Sequence, residues 1–286
     1  MVTAMGWPMP QTLSPSSMGA FTSCPLAFRF SYVQRLPEPP SAPASKGTLV
    51  HRALERLLDR PADERTIDAA LHDLDCATTE LASHPEFSGL ELNEEELAGF
   101  RADAAALVHK YFEIEDPRTI TPIGLEIKLA AHLEKVVLRG IIDRLELDEH
   151  GDLVITDYKT GGTPSEKWEE KSLAGVHLYA LLCEHNFGKR PVKVQLMYLS
   201  KPELIIATPS EGSVRGVVSK SGAVMDAVKR ACSKDDFRPR QSALCNYCSF
   251  QEFCPQFGGD PTQAEVVLKE RAATAAGRPP LPFATV

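Results

Sequence analysis

The feature that most constrains this chain is the stretch 143–161, which has the pattern of a strand, a tight turn and a second strand. Asp143 lies in the first apolar run, and Asp157 and Lys159 lie near the end of the second. Because side chains alternate along a strand, Asp157 and Lys159 leave the same face, and Tyr158 leaves the other. Pairing of the two strands can therefore bring Asp143 and Asp157 together at one end of a sheet.

Two carboxylates beside an ammonium group form a site for a hard divalent cation and for the water that such a cation activates. The alternative is that both strands end in ordinary polar residues, because an Asp-x-Lys triplet occurs by chance in most chains. The prediction of a catalytic site therefore depends on what the rest of the chain contributes.

The order of the secondary-structure patterns predicts an α/β fold with a mixed central sheet flanked by helices. Strands are expected at 119–129, 135–147, 153–159, 192–199 and 203–208, and longer helices at 46–58, 64–83, 93–115, 169–184 and 217–232. We expect residues 1–13 to form a flexible tail, 14–258 a single domain with a helical lobe at about 60–116, and 259–286 a peripheral tail. The segment 37–45 is rich in proline and small residues and is predicted to be a linker.

Composition favours a globular protein of the cytoplasm. The hydrophobic content is 43%, and no run approaches the roughly 18 apolar residues of a membrane span. The N-terminus has no basic region followed by an apolar run, so no signal peptide is expected. The net charge is -8, but the stretch 215–240 holds seven basic residues against three acidic ones. This basic stretch is compatible either with a polyanionic partner or with an ordinary solvated surface.

The stretch 46–58 carries a helical apolar stripe, and His51 borders its buried side. A single histidine in that position is more often a structural residue than a ligand. Glu126, in the first predicted strand, is either a ligand or a solvated carboxylate.

The sequence Cys245-x2-Cys248-x5-Cys254-Pro255 is a compact thiol cluster without a fourth ligand nearby, and Cys24-Pro25 is the natural candidate to complete it. Four thiolates suit zinc or an iron–sulfur cluster, which would join the two ends of the chain like a staple. The alternative is a set of unrelated buried cysteines. The odd total of seven cysteines, with no secretory signal, argues against a disulfide framework.

Taken together, these motifs resemble one family. The series Cys24-Pro25, Gly47-x3-His51-x3-Glu55, Gly140-x2-Asp143, Asp157-Tyr158-Lys159-Thr160-Gly161, Tyr179 and the final cysteine cluster is similar to the RecB-type nucleases of the PD-(D/E)XK superfamily. It is most similar to the iron–sulfur branch, which includes AddB-like nuclease domains, exonuclease V proteins and CRISPR-adaptation nucleases. The resemblance covers residues 14–258 and implies a restriction-endonuclease-like core.

The resemblance also implies roles for individual residues. His51, Asp143, Asp157 and the carbonyl of Tyr158 would bind catalytic Mg²⁺ or Mn²⁺, and Lys159 would orient water and stabilise charge on the phosphate. Glu126 would be an outer or second-metal ligand, and Tyr179 would belong to a helix beside the site. Cys24, Cys245, Cys248 and Cys254 would hold a [4Fe–4S] cluster.

The expected activity is metal-dependent hydrolysis of DNA, from single-stranded ends, in repair or recombination. The chain has no Gly-x4-Gly-Lys-Ser/Thr loop, so we expect a stand-alone nuclease or one paired with a separate helicase or repair partner. One departure favours a different function: Gly175 occupies the position where the family usually has glutamine. The alternatives are a weak or inactive DNA-binding module of a repair complex and a zinc-stapled scaffold protein.

Overall fold

The structure is a computed structural model that describes residues 6–163 and 166–276, without the side chains of residues 166–174. The chain folds into two units. Among the described residues, the middle unit contains 40–129 and 140–214, and the terminal unit contains 6–39, 130–139 and 215–276. The predicted extent of a single domain, 14–258, stays a prediction.

The middle unit contains a mixed sheet. The bounds of its strands and of the helix between them are β2 Pro122–His132, β3 Val137–Leu147, β4 Leu153–Lys159, α7 Glu166–Phe187, β5 Lys193–Tyr198 and β6 Glu203–Ala207. Strand β3 pairs antiparallel with β4, so that Arg144 lies opposite Thr156. Strand β4 pairs parallel with β5, and β5 pairs antiparallel with β6. The parallel pair needs a long crossover, which helix α7 supplies.

Helices cover this sheet. Apolar residues of α3, α4 and α6 form one core cluster with Tyr158, Met197 and Leu199 of the strand region. Helix α7 approaches β3 so closely that a Cβ atom at Gly140 would lie 2.8 Å from Leu182 Cδ1. The predicted α/β class with a mixed, helix-flanked sheet is thereby confirmed. The helix bounds are α3 Ala42–Asp59, α4 Ile67–Leu81, α5 Pro85–Ser88 and α6 Glu94–Ile114.

Helix α3 begins earlier than the sequence suggested. Residues 42–45, predicted as part of a linker, form its first turn. Pro43 is tolerated there because the first turn of a helix needs no backbone donor from it. The linker prediction is wrong for these residues, since the proline content signalled a helix start rather than an extended segment.

The terminal unit is mostly helical. Ser14 caps α1 by accepting a hydrogen bond from the backbone N–H of Ser17. A short helix, α2, leads into a π-helical turn at Arg29–Val33. The remaining bounds are α1 Pro15–Ser23, α2 Pro25–Phe28, α8 Glu211–Lys234, whose first residues lie in the middle unit, and α9 Ala264–Ala276.

The predicted N-terminal tail is partly structured. Thr12–Leu13 form strand β1, which pairs parallel with Val137–Leu138, and Leu13 is buried. Trp7 N–H donates to the carbonyl of Cys232 at 3.0 Å. A two-residue strand leaves too short a pattern to be recognised from sequence. Residues 277–286, in the predicted C-terminal tail, lie outside the described residues. Within the part of the chain that the structure describes, no helix combines the length and apolar character needed to cross a membrane.

Candidate active site

Helix α3 brings His51 to the end of strand β4. The apolar stripe of α3 is buried in the core cluster, and His51 lies at the border of that stripe. Its Nε2 atom lies 3.1 Å from the carbonyl oxygen of Tyr158. Its Nδ1 atom lies 3.5 Å from Asp143 Oδ2 and 3.8 Å from Glu126 Oε1. The imidazole therefore lies among three oxygen atoms from separate strands.

Pairing of β3 with β4 brings Asp143 to the same place. The backbone N–H of Tyr158 donates to Asp143 Oδ2 at 2.7 Å. Tyr158 thus contacts both neighbours through its main chain, with its carbonyl on His51 and its amide on Asp143. The predicted convergence of the two strand ends on one site is present in the structure.

Glu126 completes a group of possible ligands. One nitrogen or oxygen atom each from His51, Glu126 and Asp143 can be chosen so that all lie within 4.8 Å of one another. Glu126 has a φ of 49°, a left-handed conformation that is uncommon for a residue other than glycine and costs about 1 kcal/mol or more. Sequence patterns left its role undecided because they cannot reveal such a local reversal within a strand.

Asp157 and Lys159 lie beside this group and pair with each other through Asp157 Oδ2 and Lys159 Nζ. Asp157 is only 4% exposed. Burial together with the charges of Asp157 and Asp143 raises the pKa of Tyr179 well above its usual value. Tyr179 therefore lies next to the site. Gly175, one helical turn earlier on α7, contributes no side chain.

The site carries more negative charge than its own cations neutralise. Burial, followed by the charge of Asp157, raises the pKa of Asp143 to about 7. Burial alone would lower the pKa of His51, but the nearby Glu126 and Asp143 outweigh it and raise that pKa. Burial would also lower the pKa of Lys159, but Asp157 outweighs it and raises that pKa, so the side chain keeps its ammonium form. An imidazole and clustered carboxylates suit a divalent cation such as Mg²⁺ or Mn²⁺.

A buried ionic network contacts the side chain of Tyr158. Arg144 is fully buried, and it pairs with Glu115 and Glu146. Its guanidinium donates to the Tyr158 hydroxyl at 3.0 Å and to Thr156 Oγ1 at 3.0 Å. Sequence reasoning missed Arg144. The available signal was a charged residue in the middle of an apolar strand, which must have a buried partner.

The terminal unit contains the thiol cluster. Cys24, Cys245, Cys248 and Cys254 line one cavity of about 230 Å³. Burial, with contributions from the other three cysteines, raises the pKa of Cys248. The backbone N–H of Ser242 points at Cys245 Sγ at 3.4 Å. Among the described residues, no three of these sulfur atoms lie within 4.8 Å of one another.

Comparison with known proteins identifies the family. Residues 12–255 match the PD-(D/E)XK nuclease superfamily. The chain belongs to this superfamily. Its members are nucleases that use divalent metals. In this PD-(D/E)XK protein, the group formed by His51, Glu126 and Asp143 could bind such a metal. The roles assigned above to single residues stay predictions.

Similar proteins add information on the fold. A crystal structure of a "Putative exonuclease" from Eubacterium rectale aligns with a TM-score of 0.55 and 11% identity, covering 83% of this chain and 87% of that chain. Another solved structure, SSO0001, aligns with a TM-score of 0.39 and 13% identity over 87% of this chain and 88% of that one, which is too low for a structural argument. An uncharacterised protein of Rickettsia typhi is 27% identical over 133 residues, 45% of this chain. That match spans 15% of the Rickettsia protein's length.

Proposed function

We propose that this PD-(D/E)XK protein is a Mg²⁺- or Mn²⁺-dependent deoxyribonuclease that digests single-stranded DNA from its ends in repair or recombination. The observation that carries the proposal is the convergence of His51, Glu126 and Asp143 beside the Asp157–Lys159 pair. These residues come from a helix and three strands that are distant in sequence, so the arrangement depends on the fold. A cytoplasmic location and a separate helicase partner belong to the same proposal.

The donor set fits a hard divalent cation. His51, Asp143 and Asp157, with the carbonyl of Tyr158, would hold it, and Glu126 would be a further or second ligand. When bound, such an ion supplies a Lewis acid and lowers the pKa of a water molecule. Tyr158 keeps the ligands in place, because its amide fixes Asp143 and its carbonyl fixes His51.

Lys159 and Tyr179 act on the substrate side of this proposal. The Lys159 ammonium would orient the attacking water and place a fixed positive charge where the pentacoordinate phosphate develops negative charge. Its pairing with Asp157 restricts its position. Tyr179, which lies near the Asp157 carboxylate, would hold that carboxylate in the orientation needed by its neighbours.

Preference for single-stranded ends is supported by resemblance. The motif series of this chain is similar to that of RecB-type nucleases, and the similar Eubacterium structure is described as a "Putative exonuclease". The sequence contains no Gly-x4-Gly-Lys-Ser/Thr loop, so these 286 residues carry no recognisable ATPase motor.

We further propose that Cys24, Cys245, Cys248 and Cys254 hold a [4Fe–4S] cluster. A tetrahedral zinc site with Zn–S bonds of about 2.3 Å brings its sulfurs to about 3.8 Å from one another. The described sulfurs do not form a group of three within 4.8 Å, although all four line one cavity. This wider spacing favours a polynuclear cluster over a single zinc ion. Iron and sulfide analysis of anaerobically purified protein tests this, and stoichiometric zinc without iron would contradict it.

Cleavage of end-labelled DNA tests the nuclease proposal. Wild-type protein should degrade single-stranded substrate only with Mg²⁺ or Mn²⁺, and Asp157→Ala should abolish degradation while remaining folded. Asp152→Ala provides a matched control, because this partly exposed aspartate pairs with Lys189 and takes no part in the site. Wild-type turnover by Asp157→Ala would refute the assignment.

The second candidate is a DNA-binding module with weak or no activity. It is favoured by Gly175, which leaves the usual glutamine position of the family without a side chain. Metal-dependent cleavage by the wild type excludes this candidate, whereas DNA binding without cleavage supports it.

A further inference from the structure

A cleft in the terminal unit has the composition of an anion-binding site. It has a volume of about 470 Å³, which is within the range of pockets for small ligands. No carboxylate lines it, whereas two arginines do. Its lining residues are Met9, Pro10, Gln11, Thr12, Ser17, Phe28, Ser31, Tyr32, Arg35 and Arg139.

The two guanidinium groups are available for a ligand. Within the described part of the chain, neither Arg35 nor Arg139 makes an ion pair or a side-chain hydrogen bond, and both residues are exposed. Other arginines differ: Arg144 and Arg271, for example, each pair with a carboxylate. Glu38, close to Arg35 in sequence, accepts a hydrogen bond from Ser31 Oγ at 2.8 Å instead. Unpaired guanidinium groups beside a cavity favour phosphate as the ligand, because their planar donors match its oxygen atoms.

An aromatic ring lies in the same cleft. Tyr32 is half-buried and stacks on Phe28, with ring centroids 5.3 Å apart and an interplanar angle of 19°. Phe21 meets Phe28 edge-on, so the stack has a third ring behind it. The Tyr32 hydroxyl has no partner among the described residues. A supported ring at the wall of a cationic cleft is the usual platform for an unpaired base.

The backbone holds these groups in a defined arrangement. Tyr32 belongs to the π-helical turn Arg29–Val33, and such turns are frequent at functional sites. Arg35 has a φ of 53°, in the left-handed region. The backbone N–H of Leu36 then donates to the Phe30 carbonyl at 2.9 Å, which closes the turn. The direction of the Arg35 side chain is therefore set by a strained but closed turn rather than by an open loop.

We propose that this cleft binds one nucleotide unit of a single strand, with its phosphate between Arg35 and Arg139 and its base on Tyr32. The inference rests on the proposed function, since it names where the terminal unit engages the same substrate class. Duplex DNA fits less well, because its bases are stacked and paired and cannot reach a ring inside a cleft.

Binding of a fluorescein-labelled oligothymidylate of about 20 nucleotides tests the proposal by fluorescence anisotropy. A chelator is present throughout, so that cleavage does not contribute. Arg35→Gln/Arg139→Gln should weaken binding about tenfold and lower the slope of log affinity against log salt by about 0.7, the value for one lost phosphate contact. Lys229→Gln/Arg230→Gln, two exposed cations of α8, removes the same charge outside the cleft and should have a much smaller effect.

Tyr32 separates base stacking from charge. Tyr32→Leu should weaken single-strand binding at least about fivefold and leave duplex binding unchanged, whereas Tyr32→Phe should bind like the wild type. Equal losses of affinity in the Arg35/Arg139 and Lys229/Arg230 double variants, or equal losses for single strand and duplex in Tyr32→Leu, would overturn the proposal. Circular dichroism confirms that each variant is folded. Because binding is measured without metal, the two proposals can fail separately. Absence of cleavage by the wild type would refute the proposed nuclease and leave the binding test of the cleft intact. Unchanged binding in the cleft variants would refute the cleft assignment and leave the proposed nuclease intact.

Discussion

The two ligand clusters of this molecule are built in different ways. The acidic site of the middle unit lies at the ends of long elements, where Asp143 and Asp157 are 9% and 4% exposed and are fixed by hydrogen bonds and ion pairs. Of the four cysteines assigned to the thiol cluster, three lie around the short 3₁₀ turns Ala243–Tyr247 and Gln251–Phe253, and Cys24 lies between α1 and α2. All four are partly exposed. The acidic site is therefore held by the protein's own contacts, whereas a cluster bound as proposed would itself hold the four cysteines together.

Loss of the Lys159 ammonium should disable the acidic site. Lys159→Ala removes the cation beside Asp157, and we expect the cleavage rate to fall at least about 10³-fold. Mn²⁺ binding, measured by titration calorimetry, should persist because His51, Glu126 and Asp143 remain. Lys201→Ala, at an exposed lysine on the turn after β5, is the control. A cleavage rate close to the wild type would show that the site does not work as proposed.

A smaller but still large effect is expected when the buried ion pairs of Arg144, which contacts Tyr158 next to that site, are broken. Arg144→Met leaves Glu115 and Glu146 without their buried partner, and we expect the free energy of unfolding to fall by about 3–5 kcal/mol. Urea denaturation followed by circular dichroism measures this. Arg118→Met breaks only an exposed pair with Asp116 and should change stability by less than about 1 kcal/mol. Similar losses of unfolding free energy in both variants would contradict the view that buried contacts of the protein hold the acidic site in place.

The thiol cluster should respond to loss of its ligand. Cys248→Ala is expected to abolish bound iron and visible absorption and to lower the free energy of unfolding by about 3 kcal/mol, because a metal that bridges distant segments couples binding to folding. Cys183→Ala, at a buried cysteine of α7, should retain iron. Chelation with EDTA should stop cleavage yet leave the visible absorption. Retention of iron by Cys248→Ala would remove the contrast between the clusters.

A modest pH dependence is expected in metal-free protein. Burial and Asp157 raise the pKa of Asp143 to about 7, against about 4 when unfolded. The folded state therefore binds more protons between these values, and its stability falls as pH rises through that window. Asp143→Asn should flatten this dependence and be more stable than the wild type at pH 8, in urea denaturation with a chelator. Identical pH dependence of the unfolding free energy in wild type and Asp143→Asn would show that folding does not raise the pKa of Asp143.

Much of the site was predictable because its signals are local. Strand β4 was expected at 153–159 and spans those residues, and the alternation within it placed Asp157 and Lys159 on one face. The family motifs predicted that His51 would join them. For Glu126 the sequence left a ligand and a solvated carboxylate as alternatives, since its position depends on a left-handed residue inside a strand. Strand β1 was missed because two residues carry no pattern. The start of α3 was missed because proline occurs both in linkers and in first helical turns.

Tyr158 connects the interior of the middle unit to its surface chemistry. Its hydroxyl is held by Arg144, its ring packs edge-on against Tyr111, and its main chain holds His51 and Asp143. The ring thus anchors the residue, while its peptide groups position the ligands. Substitutions on the outer face of the helices leave this residue untouched, but a change of packing under the tyrosine ring would shift the imidazole and the carboxylate together.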